Sequence, residues 1–229
     1  MQMVTLSDLE NMSEEQLNTL CFHLTSMSAI DSIDNNGLVA DIGINSSGNL
    51  GKEKTKKVFF SKGYAYALSI INRAMDIVNR VLDSGDMETI EKLGLDPTLD
   101  AKSNILMLLD KKAYYLLNIK GVSREEYEKM PDEERAGISY LTDDLDEETG
   151  KTMEDANMHT ISGLGVPKEL MVKVVDDNYD VVNSTEVIKA LARKFKEFHS
   201  DMELPTRNQS VNYLEQFYDE NVISEGHHI

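Results

Sequence analysis

A histidine and a threonine two positions apart are the side chains of this sequence best arranged to do chemistry. His23 and Thr25 stand in the run Cys21–Ser26. If this run is a β-strand, its side chains alternate, so His23 and Thr25 share one face with Cys21 while Phe22 and Leu24 occupy the other. An imidazole beside a hydroxyl can bind the hydroxyl groups of a sugar. A structural histidine at a half-buried strand end is the alternative interpretation.

The segment after this run is predicted to be a short helix that braces it. Ser28, with Asp31 three positions on, is typical of a helix start. Ile30 and Ile33 would supply an apolar face, and Gly37 suits a left-handed C-terminal cap. The sequence therefore predicts a strand that presents His23 and Thr25 and a helix that packs beside it.

Aromatic and hydroxyl side chains follow on a second predicted strand, residues 57 to 61, which ends in a Lys-Gly turn. Phe59 and Phe60 must point to opposite faces, and Phe60 is our candidate for contact with a ligand because it adjoins Ser61. Tyr64 opens the next segment, which is predicted to be a long amphipathic helix. Tyr64 is either a ligand-stacking ring or an ordinary packing residue of the first helical turn.

A carboxylate, Glu169, stands at the entrance of a third predicted strand, residues 170 to 175. Such a group can stabilise positive charge that develops on a sugar carbon. A solvated carboxylate at a strand entrance is the simpler interpretation, and Glu215 or Glu220 are alternative candidates for the same role.

The overall charge limits the partners that we expect. Of 229 residues, 41 are acidic and 23 are basic, which gives a net charge of −18. A surface this negative repels phosphate backbones and anionic lipids, so free nucleic acid and membranes are not expected partners. The single cysteine, Cys21, cannot form a disulfide within the chain, and no run of about 18 apolar residues occurs. We expect a soluble, cytoplasmic protein.

Several common catalytic motifs are absent from the sequence. It contains no Gly-x-Ser-x-Gly, no His-Glu-x-x-His, no phosphate-binding loop that ends in Gly-Lys-Ser/Thr, and no Gly-x-Gly-x-x-Gly after a strand. The histidines lack the spacing of metal ligands, so no metal site is predicted.

The remaining segments predict a mixed α and β organisation. Residues 39 to 55 are rich in Gly, Asn and Ser and predict a loop. Residues 113 to 120 predict a strand, whereas residues 123 to 155, with 13 acidic and 4 basic residues, predict a solvated acidic insertion. Two amphipathic helices are predicted after residue 183. The first carries a basic cluster that is either a solvated helix face or a contact for an acidic partner: Lys189, Arg193, Lys194 and Lys196.

Three motifs together resemble the ADP-ribosyltransferase superfamily, in particular its His-aromatic-Glu branch, which includes the poly(ADP-ribose) polymerases and diphtheria-like toxins. His23-x-Thr25, followed by Ile30, Ile33 and Gly37-Leu38, is similar to the first motif of that family. The strand at residues 57 to 61 before a helix rich in Tyr and Ala is similar to the second motif. Pro167-Lys-Glu169 before a strand is similar to the third.

This resemblance implies an α+β fold with a split mixed β-sheet, flanking helices and NAD in the cleft between its halves. Such a domain would cover residues 1 to 180, including the acidic helical insertion at about 123 to 155, with a helical C-terminal extension at 181 to 229. It implies that His23 binds a ribose hydroxyl and that Glu169 supports the positively charged ribose. The remaining implied NAD contacts are Leu24 through its backbone, Thr25, Phe60, Ser61 and Tyr64.

The functional hypothesis is therefore an NAD-dependent ADP-ribosyltransferase, toxin- or effector-like, that modifies a protein acceptor with a basic surface. A non-catalytic acidic protein that binds and inhibits a basic partner is the alternative, and it depends on the charge alone. A tRNA 2′-phosphotransferase would share the fold, but it would need phosphate-binding arginines and a basic face that the sequence does not offer.

Overall fold

A computed structural model describes residues 1–39, 58–117, 120–135, 138–141, 157–159, 165–206, 211–216 and 218. The protein is a mixed α and β structure in which helices cover an eight-stranded sheet. The strands are β1 (Gln2–Thr5), β2 (Cys21–Ser26), β3 (Phe59–Lys62), β4 (Lys112–Leu117), β5 (Lys120–Val122), β6 (Ile138–Leu141), β7 (Asn157–His159) and β8 (Met171–Val175).

The sheet has the order β1-β8-β4-β2-β3-β7-β6-β5. Its two outer pairs, β1 with β8 and β5 with β6, are parallel, and the ladders between them are antiparallel. The ladder from β2 to β4 contains six residue pairs, whereas the ladder from β2 to β3 contains only two. The ladder from β6 to β7 also contains two pairs, so β2 to β4 is the longest ladder of a continuous mixed sheet.

Nine helices occur in the described part of the chain. They are α1 (Leu6–Glu10), α2 (Glu14–Thr19), α3 (Ile30–Asn36), α4 (Tyr64–Ser84), α5 (Met87–Lys92), α6 (Ala101–Leu109), α7 (Arg124–Lys129), α8 (Asp132–Arg135) and α9 (Ser184–Phe198). Residues 213–216 are also helical. None of the helices in these described residues is long and apolar enough to cross a membrane.

The larger hydrophobic core lies between one face of the sheet and helices α4, α6 and α9. Phe22 and Leu116 from the sheet pack there with Leu68 and Met75 of α4 and Leu191 of α9. The two long helices form because their apolar residues recur every three or four positions, which gives each helix one buried stripe. This core contains most of the buried apolar side chains of the described chain.

A smaller core lies on the opposite face, under α3. It includes Cys21, Ile33, Phe60, Tyr115 and Met171. A 3-10 turn, Met27–Ala29, connects β2 directly to α3, so the helix folds back over the strand that precedes it.

Gly37 fixes the end of α3 against the segment that leads into β8. It has a positive φ of 74°, and a Cβ atom at this position would lie 2.2 Å from the carbonyl oxygen of Val166. Leu38 and Val166 exchange two backbone hydrogen bonds of 2.9 and 2.8 Å beside it. Glycine is therefore required here both by the conformation and by the close approach of the two backbones.

The structure confirms the principal predicted elements: the strand and helix around His23, the strands near residues 59, 113 and 171, and the long helices α4 and α9. The predicted acidic insertion contains α7 and α8, but its residues 138–141 form β6 and belong to the sheet. Strand β1 and helix α6 were not predicted. The predicted loop at 39 to 55 lies outside the described residues apart from Val39.

The predicted C-terminal extension shares its core with the rest of the protein. Val187 and Leu191 of α9 belong to the same hydrophobic cluster as Val4 of β1 and Phe22 of β2. Ser184, at the start of α9, donates a 2.7 Å hydrogen bond to the carbonyl of Leu109. The helix is thus an integral layer over the sheet.

Candidate functional site

The two faces of β2 carry different side chains, as the alternation of the sequence predicts. Phe22 lies in the larger core and Leu24 packs against it, whereas Cys21 lies in the smaller core. His23 and Thr25 follow Cys21 at steps of two, so they lie on the face that α3 covers. Both side chains are partly buried. The structure therefore places the predicted pair on one face.

His23 lies where β2 and β3 separate. Among the described residues, β2 pairs with β3 only through Cys21 and Phe22, opposite Lys62 and Ser61. The next residue of β2 is His23. It contacts β3 through its side chain, because its Nδ1 lies 2.8 Å from the carbonyl oxygen of Phe59. An imidazole thus connects β2 to β3 at the point where the backbone ladder between them ends.

This hydrogen bond determines the tautomer of His23. A carbonyl oxygen only accepts hydrogen bonds, so Nδ1 must carry the proton. Burial lowers the pKa of His23, the charge of Lys112 lowers it further, and the Phe59 carbonyl opposes both effects. The ring is therefore neutral at pH 7, and its Nε2 is an acceptor with no partner among the described residues. A hydroxyl group of a ligand could donate to it.

The thiol beside this histidine is unreactive. Cys21 is buried and is not part of a disulfide, and burial raises its pKa to about 11. Because the thiolate is the nucleophile, a buried thiol that remains protonated at neutral pH contributes packing and no covalent chemistry.

Phe60 and Ser61 lie on opposite faces of β3. Phe60 belongs to the small core with Cys21 and is only 3% exposed. Ser61 lies opposite Phe22 in the antiparallel ladder, and residues directly opposite each other share a face, so Ser61 points away from His23. Phe60 thus shares the face of His23 but is covered, whereas Ser61 does not share that face.

Tyr64 lies in the larger core, on the other side of the sheet from His23. Its side chain is 1% exposed, its ring lies 5.9 Å from that of Phe195, and its hydroxyl donates a 3.0 Å hydrogen bond to Glu14. Burial and this carboxylate raise the pKa of Tyr64. The predicted ring contact with NAD therefore does not lie beside His23, because the first turn of α4 packs against α9.

Glu169 is exposed and lies in a 3-10 turn, Lys168–Leu170, immediately before β8. The register aligns Met171 with Leu117 of β4 and, through it, with Cys21 of β2. Glu169 is thus beyond the Cys21 end of the sheet and two strands away from β2. Ordinary strand spacings place its backbone about 15 Å from that of His23.

Helix α3 connects these two separated residues. It begins one 3-10 turn after β2, and Gly37 at its end packs against Val166 and Lys168, next to Glu169. Helix α3 thus contacts the chain both next to β2 and next to Glu169.

Three polar residues that were not predicted form a network on the His23 face. Tyr115 lies between Lys173 and His23 in one cross-strand row. The Tyr115 hydroxyl donates a 2.9 Å hydrogen bond to Asp34 of α3, and the Lys173 ammonium forms an ion pair with the same carboxylate. The only available signal was Lys173 itself, a charged residue in the middle of an apolar strand.

The alternative carboxylates are used elsewhere or cannot be described. Glu215 forms an ion pair with Lys196 and accepts a 2.6 Å hydrogen bond from the backbone of Leu204, so it stabilises the C-terminal segment. Glu220 lies outside the described residues.

The predicted basic cluster on α9 is neutralised within the protein. Each member forms an ion pair with an acidic side chain: Lys189 with Glu186, Arg193 with Glu10, Lys194 with Glu197 and Lys196 with Glu215. Lys194 is also buried, and its ammonium lies 4.5 Å from the centre of the Phe198 ring. This pairing favours the interpretation of the cluster as a helix face over its interpretation as a contact for an acidic partner.

In the described residues, no group of three or more His, Cys, Asp or Glu side chains is arranged to hold a metal ion. Comparisons with protein-family models, with curated proteins and with solved structures find no match to this chain.

Proposed function

We propose that this protein binds NAD and transfers ADP-ribose to a protein acceptor. The observation that carries the proposal is the state of His23: a neutral imidazole whose Nδ1 is fixed by the Phe59 carbonyl and whose Nε2 is an acceptor, at the point where the backbone ladder between β2 and β3 ends. A ribose hydroxyl is a suitable donor to that nitrogen. Thr25, on the same face, would add a second hydroxyl contact.

The order and pairing of the strands support a more specific proposal, that the sheet is split as in an ADP-ribosyltransferase. One half would contain β1, β8, β4 and β2, and the other would contain β3, β7, β6 and β5. Beyond Phe22, the described part of β2 has no backbone ladder with β3, so the backbone of Leu24 is a candidate to bind the amide of nicotinamide.

The proposed chemistry is cleavage of the bond between nicotinamide and ribose. As nicotinamide leaves, the ribose carbon gains positive charge, which a carboxylate stabilises, and a nucleophile of the acceptor then attacks that carbon. We assign the carboxylate to Glu169, which is exposed and has no partner among the described side chains. His23 would orient the ribose.

The charge of the protein supports a basic acceptor. The net charge is −18, and the basic residues of α9 are paired with acids of the chain itself. An acidic surface accelerates encounter with a basic protein.

The test is binding and turnover of NAD by the purified protein. We expect calorimetry to detect NAD binding, and we expect nicotinamide release when NAD is incubated with the protein and a cell lysate. His23→Ala should abolish detectable binding, whereas Glu169→Gln should reduce turnover about a hundredfold or more and leave binding nearly unchanged. NAD affinity should also fall as the pH drops through the lowered pKa of His23, because a protonated ring cannot accept through Nε2.

A matched control distinguishes a specific loss of NAD binding from a general loss of folding. Thr19→Ala alters an exposed residue of α2 and should change neither binding nor turnover. If NAD binding is unchanged in His23→Ala, the proposed site is wrong. If wild-type protein neither binds nor cleaves NAD but forms salt-sensitive complexes with basic proteins that do not need His23, an acidic inhibitor replaces the transferase.

A further inference from the structure

Lys112 is a basic residue near His23 that has no acidic partner. It is the first residue of β4, it lies opposite Ser26 in the ladder with β2, and it is partly buried. Its side chain makes no hydrogen bond or ion pair in the part of the chain that the structure describes, although acidic residues outnumber basic ones by 41 to 23. The four basic residues of α9 show the opposite behaviour, since each is paired.

A partly buried cation without a partner is unfavourable in the protein alone. Burial lowers the pKa of Lys112, which shows that the environment opposes its charge. The same charge contributes to lowering the pKa of His23, so the ammonium lies within electrostatic range of the imidazole. An anion bound at this end of β2 would offset that cost.

Hydroxyl groups lie at the same end of the strand. Ser26 is exposed, its Oγ lies 2.8 Å from that of Ser28, and it accepts a 3.3 Å hydrogen bond from the backbone of Ser28. Alternation places Lys112 and Ser26, which lie opposite each other, on the face of Leu24, and the backbone pairing continues one step further, where Met27 donates to the carbonyl of Lys111. The four-carbon side chain of Lys112 is long enough to extend past this last pair. An ammonium and two hydroxyls are suited to bind phosphate oxygens.

We propose that Lys112, with Ser26 and Ser28, binds the diphosphate of the dinucleotide whose ribose contacts His23. This inference rests on the proposed function and assigns it a residue that determines specificity. His23 and Thr25 would contact the sugar, and Lys112 would contact the charged group about three strand positions further along β2. The site would then discriminate against nucleosides that lack phosphate.

The test compares three ligands and three variants by calorimetry. NAD contains both a diphosphate and nicotinamide. ADP contains a diphosphate but no nicotinamide, and free nicotinamide contains no phosphate. Lys112→Met should weaken binding of NAD and of ADP about tenfold to a hundredfold and leave nicotinamide binding unchanged. Lys112→Arg should retain most of the affinity. Lys111→Met, which removes an exposed neighbouring charge, should behave like wild type.

The outcomes distinguish this inference from the proposed function. Equal affinity of wild type and Lys112→Met for ADP would overturn the inference, and so would an equal loss of nicotinamide affinity, because that would indicate a distorted site. Binding of ADP that depends on Lys112, without cleavage of NAD, would support the diphosphate site and contradict the transferase. Failure of wild type to bind ADP, with NAD still cleaved, would contradict only the diphosphate site.

Discussion

The two faces of β2 carry side chains of different polarity, although the same six residues form both faces. Towards α4 and α9, Phe22 and Leu24 pack in the larger hydrophobic core. Towards α3, Cys21, His23 and Thr25 lie near a polar network of Asp34, Tyr115 and Lys173. Within β2, the polar side chains of His23 and Thr25 therefore lie on the face to which we assign ligand binding. The other face provides stability.

The strongest test of this division replaces one residue on each face. Phe22→Ala should reduce the free energy of unfolding by about 3–5 kcal/mol, because Phe22 is only 2% exposed and its ring is surrounded by the larger core. His23→Ala should cost about 1 kcal/mol, because it removes one hydrogen bond from a partly buried side chain. Urea unfolding measures both values. If His23→Ala reduces the free energy of unfolding as much as Phe22→Ala does, His23 is a residue of the core and not of a binding site.

The polar network offers a second, smaller test. Asp34→Asn should destabilise the protein by about 1–3 kcal/mol, because it leaves the Lys173 ammonium, 13% exposed, without its counter-charge. In Asp34→Asn combined with Lys173→Met, most of this loss should be recovered, since no buried charge remains unpaired. Thermal unfolding of the single and double variants measures the coupling.

Asp31→Asn is the matched control, because Asp31 is an exposed acid on the same helix. Its effect should be within about 0.5 kcal/mol of wild type. If the double variant is as unstable as Asp34→Asn alone, the network stabilises α3 through its geometry and not through charge compensation.

Local patterns predicted the elements around His23 well. The alternation of Cys21 to Thr25 predicted the strand and its faces, and Gly37 predicted the end of α3. These signals are local, because strand alternation and a positive φ depend on a few neighbouring residues. The capping box that Ser13 and Gln16 form at the start of α2 is a local feature of the same kind.

Features that depend on distant pairing were not predictable. Strand β1 carries no strong strand pattern, and it forms because β8 offers it a parallel edge. The location of Tyr64 depends on α9 packing over α4, more than a hundred positions away in the sequence. The separation of Glu169 from His23 likewise depends on β4 inserting between β8 and β2. The order of the motifs along the sequence therefore identified candidate residues, but it did not predict the distances between these residues in the fold.

The smallest effect on stability is expected from a polar cluster on the side of the sheet that α4 and α9 cover, opposite the His23 face. Glu14 of α2 accepts a hydrogen bond from the Tyr64 hydroxyl and is bonded to the His199 ring, which lies 4.8 Å from the Phe195 ring. These contacts, that of His199 first, lower the pKa of Glu14 below its ordinary value of 4.5. A carboxylate with a lowered pKa stabilises the folded state above the unfolded-state pKa, and this contribution is lost as the pH falls through the folded-state value.

Glu14→Gln should therefore reduce the melting temperature near neutral pH and make it fall less steeply on acidification between about pH 5 and pH 3. Glu15→Gln, which removes an exposed neighbouring carboxylate, should leave the shape of that curve unchanged. Parallel curves for Glu14→Gln and wild type would show that the cluster does not link protonation to folding. Because the ribose of NAD is proposed to bind on the other face, Glu14→Gln should also leave NAD affinity unchanged at neutral pH, and a loss of affinity would contradict this assignment of functions to the two faces.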